Sequence, residues 1–175
     1  MDGTNGAGAP GPSGRLEGGP FGVELRIERR IEASIELVWA NLVEPARLER
    51  WIGTWEGDPG SGSVRFAMTA EGADAPWADT RIHACEAPHL LDLETAVGDD
   101  SWRLRVELLG ADGVTLLRFA QAAAHDLGVD LASVGPGWEY YLDRLVAAAT
   151  GGDPASIVFE PDYLPGMGRY YGELR

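Results

Sequence analysis

Gly135-Pro-Gly-Trp-Glu-Tyr-Tyr-Leu-Asp-Arg-Leu145 and Ile31-Glu-Ala-Ser-Ile-Glu-Leu-Val-Trp39 together decide the architecture. In the first stretch Pro136 suits the opening turn of a helix. Trp138, Tyr141, Leu142, Leu145 and Ala149 then recur at helical spacing until Gly151 and Gly152 stop it. A helix over 134–149 follows, with one apolar face that must lie on other structure to leave water. In the second stretch Ser34 is placed as an N-cap with Glu36 in the first turn, and Ile35, Val38, Trp39 and Leu42 form a short apolar stripe. Pro45 opens a second short helix, which Leu48, Trp51 and Ile52 seat on the domain before Gly53 ends it.

Outward from these two anchors the pattern is that of strands. Residues 21–32 alternate, with Val23, Leu25, Ile27 and Ile31 on one face and Glu24, Arg26, Glu28, Arg30 and Glu32 on the other. Residues 64–69, 78–86, 90–97, 102–109 and 114–122 supply five more strands, separated by short turns such as Gly98-Asp-Asp100 and Gly110-Ala-Asp-Gly113. Short connections between consecutive strands make an antiparallel meander. The expected class is α+β: a curved antiparallel sheet of about six strands wrapped on a long C-terminal helix, with two short helices after the first strand. Residues 1–20 hold seven glycines and three prolines with almost nothing to bury, which predicts a disordered tail. The domain proper is expected over 21–150. Residues 151–175 combine Pro154, Pro161 and Pro165 with Phe159, Tyr163, Tyr170 and Tyr171, the composition of an extension strapped across the domain surface.

Composition excludes several functions. At 175 residues the chain has room for one well-filled domain. Its formal charge of −14 repels a phosphate backbone and an anionic membrane, so nucleic acid is excluded as a partner. All 14 basic residues are arginine, which removes any mechanism needing a Schiff-base lysine. Cys85 stands alone, without a partner for a disulfide, and no apolar run reaches the roughly 20 residues of a membrane helix. With no signal-peptide pattern at its start, the chain is expected in the cytoplasm, without membrane insertion, as a monomer or dimer.

Residues able to carry chemistry are few. His83, Cys85 and His89 lie within seven positions, but no nearby carboxylate or second cysteine completes a tetrahedral site, so no metal is assigned. No nucleophile elbow or phosphate-binding glycine loop is present, no catalytic residue is assigned, and nothing demands a cofactor. Arg29 falls on the apolar face of its strand, where it must pair, snorkel at the strand end or meet a ligand anion. Binding is the better physical case. A twisted sheet gripping one helix leaves a wedge, for which Trp51, Trp77, Leu104, Val106, Phe119, Gln121, Trp138, Tyr141 and Leu142 are the candidate lining residues. A filled core would use the same side chains, since burying each large one contributes about 1.5–3 kcal/mol.

With that element order in hand, the quoted residues resemble the helix-grip superfamily SRPBCC, related to START lipid-binding domains. Within it they resemble the Aha-type family, activators of the heat-shock chaperone ATPase. The resemblance runs over 21–150. It is carried by the two quoted stretches, by Pro45-Ala-Arg-Leu-Glu-Arg-Trp51 as the second helix, and by the turn Ala87-Pro-His-Leu-Leu91. It implies a helix-grip fold with a small hydrophobic molecule held between sheet and helix, a role for which no catalysis is required. The alternatives it implies are a chaperone-associated or regulatory module that docks on a protein partner, and an enzyme similar to polyketide cyclases and aromatases.

Overall fold

Alternation along the strands translates into one sheet with two unlike faces. The computed structural model describes residues 10–175. In chain order it contains β1 (Arg15–Gly19), β2 (Gly22–Ile31), α1 (Ile35–Val43), α2 (Pro45–Leu48), β3 (Thr54–Glu56), β4 (Ser63–Ala67), β5 (Ala78–Glu86), β6 (Leu90–Val97), β7 (Asp100–Ala111), β8 (Val114–Ala122), α3 (Leu131–Ala149) and α4 (Gly166–Glu173). The strands form a single antiparallel sheet in the order β1-β2-β8-β7-β6-β5-β4-β3. The class is α+β with a long C-terminal helix gripped by the sheet, as expected, but with eight strands and not six.

Register fixes which side chains face α3. Ile27 lies opposite Phe119 and Leu25 opposite Gln121 across β2 and β8, while Leu104 and Val106 of β7 oppose Gln121 and Phe119. Leu93 and Leu91 of β6 continue these rows. The outer face carries the charges, with Arg118 on Glu28, Arg103 on Asp92 and Arg26 on Glu17 and Glu24. The main core gathers Ile27, Ile31, Val38, Leu42, Trp51, Leu108, Leu117, Phe119, Leu142 and Leu145 between the sheet, α1, α2 and α3. Ser34 caps α1 by accepting from the Leu37 N–H, as its position implied.

Several local expectations are corrected. Residues 1–9 of the expected tail lie outside the described residues, but residues 15–19 form β1, with Leu16 opposite Leu25. Composition could not show this: β1 pairs with β2 across a short turn, and residues 13–14 just before it are anchored by distant side chains. Tyr170 donates its hydroxyl proton to the Gly14 carbonyl at 2.8 Å, and the Gly14 N–H reaches both Glu139 and Tyr171. The facing at the start of β2 is as expected, but the burial is reversed. Val23 is exposed and Glu24 is buried, because the Phe21 N–H and Arg26 satisfy the Glu24 carboxylate.

β3 appears where only the end of a helix was expected, in the stretch after Gly53. α3 starts at Leu131, earlier than Val134, and Leu131 packs into a second core with Leu25, Tyr163, Met167 and Tyr171. That second core is what the C-terminal extension contributes. Gly135 is needed in it, because a Cβ there would overlap the Tyr171 ring. Arg144 of α3 ties the layers by donating to the carbonyls of Trp51 and Pro154, both at 2.8 Å.

Candidate functional site

The inner face of the sheet divides into a filled half and an open half. A helix is about 10 Å across and strands repeat at about 4.8 Å, so α3 covers roughly two strands of the eight. It sits over β2 and β8. There Trp138 lies against Phe119 with ring centroids 4.4 Å apart, and its indole N–H donates to Gln121 Oε1 at 2.6 Å. Leu142 and Leu145 complete the packing with Ile27 and Leu117, all buried.

Beyond this cover the inward rows of β4, β6 and β7 continue as apolar side chains that remain half-exposed: Phe66, Leu91, Leu93, Trp102, Leu104 and Val106. Phe66, Leu91, Leu104 and Val106 pack against the main core from its edge, so they face inward and not outward. The polar groups on these rows are Thr80 and Thr95, which hydrogen-bond to each other at 2.9 Å and so present little unsatisfied polarity. The result is a half-buried apolar strip, the candidate trough, beside the flank of α3.

The connection between β4 and β5 borders the trough. Tyr141 on α3 donates its hydroxyl proton to Glu71 Oε1 at 3.1 Å, joining helix and connection, and Met68 packs against the main core beside it. Burial first, and then the Glu71 carboxylate, push the Tyr141 phenol well above its ordinary range. It therefore stays a neutral donor, and the pair is suited to latching the connection to the helix.

The candidate lining residues separate accordingly. Leu104 and Val106 belong to the trough, and Trp138 stands at the seam between the halves. Phe119, Gln121, Tyr141 and Leu142 are buried in the filled half or its margin. Trp51 is buried beneath the helices, where its indole N–H donates to the Asn41 carbonyl at 2.8 Å, and it lines no wedge. Trp77 is 41% exposed and stacks beside the Arg65 guanidinium, 5.4 Å from ring centroid to charge. Arg65 alternates with the inward Val64 and Phe66, so Trp77 belongs to the outer side. Phe66, Leu91, Leu93 and Trp102 were not among the candidates, although alternation with Leu104 and the leucines of 90–93 carried the signal.

Arg29 meets anions, but they are the protein's own. Its guanidinium donates to Glu139 at 2.5 Å and to Asp143 at 2.8 Å, both on α3. Glu139 is fully buried and also accepts from the Ser13 backbone N–H and from the Tyr171 hydroxyl. Burial opposes its ionisation, but the donors from Arg29, Tyr171 and Ser13 outweigh that and hold its carboxyl below the usual range. Tyr163 closes the cluster by donating to Asp143 at 2.7 Å. One carboxylate thus clasps both terminal segments to α3. On the outer face His83 pairs with Glu94 at 2.9 Å. Among the described residues no group of three or more His, Cys, Asp and Glu side chains is placed to hold a metal ion.

An open depression of about 590 Å³ lies along the other edge of the sheet, lined by Glu56, Asp58, Ser61, Arg65 and Asp79. Its charged walls are unsuited to an apolar occupant. No helix among the described residues is long and apolar enough to cross a membrane.

The sequence pattern of the family described as Activator of Hsp90 ATPase homolog 1-like protein matches residues 32–150. The chain belongs to this family. Its matched region spans α1 to the end of α3 and so contains both halves of the inner face except β2. No curated protein matches the chain. Solved structures share its fold. CalU16 from Micromonospora echinospora is 23% identical with a TM-score of 0.62, over 93% of each chain. EF2215 from Enterococcus faecalis, a conserved protein of unknown function, is 20% identical with a TM-score of 0.67, over 91% of this chain and 87% of that one. DynU16, from the dynemicin biosynthetic locus, is 20% identical with a TM-score of 0.61, over 75% of this chain and 49% of that one.

Proposed function

We propose that this Aha-type protein holds a small hydrophobic molecule along the open half of its inner sheet face, with α3 as one wall, and binds without catalysis. The row Phe66, Leu91, Leu93, Trp102, Leu104 and Val106 carries the reading, because apolar side chains left half-exposed on a concave face gain by covering. Among the described residues the acid and base beside the trough, Tyr141 and Glu71, are latched to each other with Tyr141 a neutral donor, and binding therefore stands ahead of a cyclase-like activity. The same reading keeps the protein in the cytoplasm, where exposed Cys85 remains a thiol.

Fluorescence titration with an apolar reporter such as aminoanthracene tests the proposal. Saturable binding is expected in the wild type, together with a rise in Tm by linkage. Leu93→Arg should abolish both while leaving the circular dichroism unchanged. Binding that survives Leu93→Arg, or no saturable binding at all, contradicts it.

The second reading, a protein-interaction module of the same family, draws on the packing of Phe119, Trp138 and Leu142, which closes the near half against a deeply enclosed ligand. A trough that binds no small apolar reporter, yet loses a chaperone contact in Leu93→Arg, would favour it.

A further inference from the structure

Gln121 is a buried amide whose position no packing argument explains. It lies on β8 between Leu25 of β2 and Leu104 of β7, fully buried at the seam between the filled and open halves. A primary amide offers two N–H donors and one carbonyl acceptor. Its Oε1 accepts from the Trp138 indole, and an indole N–H only donates, so the amide orientation is fixed by chemistry. Nε2 is then left facing no acceptor. A buried donor without a partner destabilises the fold, and methionine or leucine at this place would avoid the cost. Stability alone therefore favours another residue here.

Among the described residues the other two buried side-chain atoms without a partner, Asn41 Oδ1 and Thr69 Oγ1, lie on α1 and on the connection between β4 and β5, off the sheet face. Gln121 is the one on the sheet, beside Leu104 of the trough floor. Trp138 lies against it and is itself only half-buried; besides its contact with Phe119 and its hydrogen bond to Gln121 it packs at the edge of both cores.

We infer that the ligand carries an uncharged acceptor oxygen, of the ketone, quinone or ester class, which takes the Gln121 Nε2 hydrogen bond after Trp138 swings aside. The inference rests on the ligand-binding reading above. A carboxylate or phosphate is disfavoured, since the apolar walls give it no counter-charge and the chain is strongly acidic. The amide thus supplies selectivity and the apolar row supplies most of the affinity, as in pockets where a few placed polar groups set orientation.

A matched pair of probes, fluorene and fluorenone, tests this, because they share shape and differ by the carbonyl. Ligand-observed NMR titration of the full chain should show fluorenone binding roughly tenfold more tightly than fluorene. Gln121→Met should erase the preference, with fluorenone falling to the affinity of fluorene. Gln121→Glu keeps an acceptor for Trp138 but removes the donor, and should erase the preference as well, which guards against a fold defect in the first variant. Equal binding of the two probes by the wild type, or a preference that persists in both variants, overturns the role of Gln121 and leaves the ligand-binding reading standing. If neither probe binds the wild type, both readings fall. Trp138→Ala should associate with fluorenone roughly tenfold faster while keeping the preference; an unchanged rate removes Trp138 as the gate.

Discussion

Where β2 and β8 run beneath α3, the inward side chains Ile27, Leu117 and Phe119 are buried and Trp138 locks onto Gln121. One and two strands beyond β8, the same inward rows continue as Leu104, Val106, Leu91 and Leu93, which stay half-exposed. The two halves share an alternating sequence pattern and differ in cover. One helix is too narrow for eight strands, and the terminal segments are committed elsewhere, clasped by Glu139 to the far side of α3. The difference separates tasks: the near half holds the fold together, and the far half is free to receive a ligand at little cost to stability.

Mutations should break this comparison in a graded way. Leu145→Ala in the near half should cost about 3–5 kcal/mol, because it empties a fully buried site between α3 and the sheet. Urea denaturation followed by far-UV circular dichroism measures it.

Glu139→Gln should cost about 3 kcal/mol by leaving the half-buried Arg29 guanidinium short of one counter-charge. The same carboxylate makes the clasp acid-sensitive. Its folded-state pKa lies below the unfolded value, so its stabilisation is complete above the unfolded pKa and is withdrawn as pH falls through the folded one. Tm should therefore fall with acidification in the wild type, with a shallower dependence in Glu139→Gln.

Gly135→Ala should cost about 1–3 kcal/mol by pressing a methyl group into the Tyr171 ring. Limited proteolysis should then release the C-terminal segment first. Leu93→Ser in the far half should cost less than about 1 kcal/mol, as half-exposed positions away from networks do. It should nevertheless weaken binding of an apolar probe. A large loss of stability in Leu93→Ser would show that the trough is core after all.

The order of elements was legible because it rests on local chemistry. Ser34, Pro45, the glycines after Ala149 and the turns at 98–100 and 110–113 each act on their own neighbours, and α1, β5, β6 and β8 lie where those signals put them. β1 was not legible, since its glycine-rich surroundings hide the hairpin it makes with β2, and the Glu139, Tyr170 and Tyr171 groups that anchor Ser13 and Gly14 just before it lie far along the chain. The site was legible only in part. Alternation identifies which residues face inward, as it did for Leu104 and Val106, but not which strands α3 covers. Trp51 and Trp77 show the limit: both are large aromatics near the right elements, yet one is sealed under the helices and the other lies on the outer side. Arg29 was marked by its misplaced charge, and only tertiary structure supplied Glu139 and Asp143 as its partners.

The division of the inner face is tested most directly by titrating isotope-labelled protein with fluorenone and mapping the shifted resonances. The account predicts shifts centred on Leu91, Leu93, Trp102, Leu104, Val106 and the Gln121 side-chain amide, with Ile27, Leu117 and Leu145 little changed. Shifts confined to the outer face, or none at saturating probe, would contradict it.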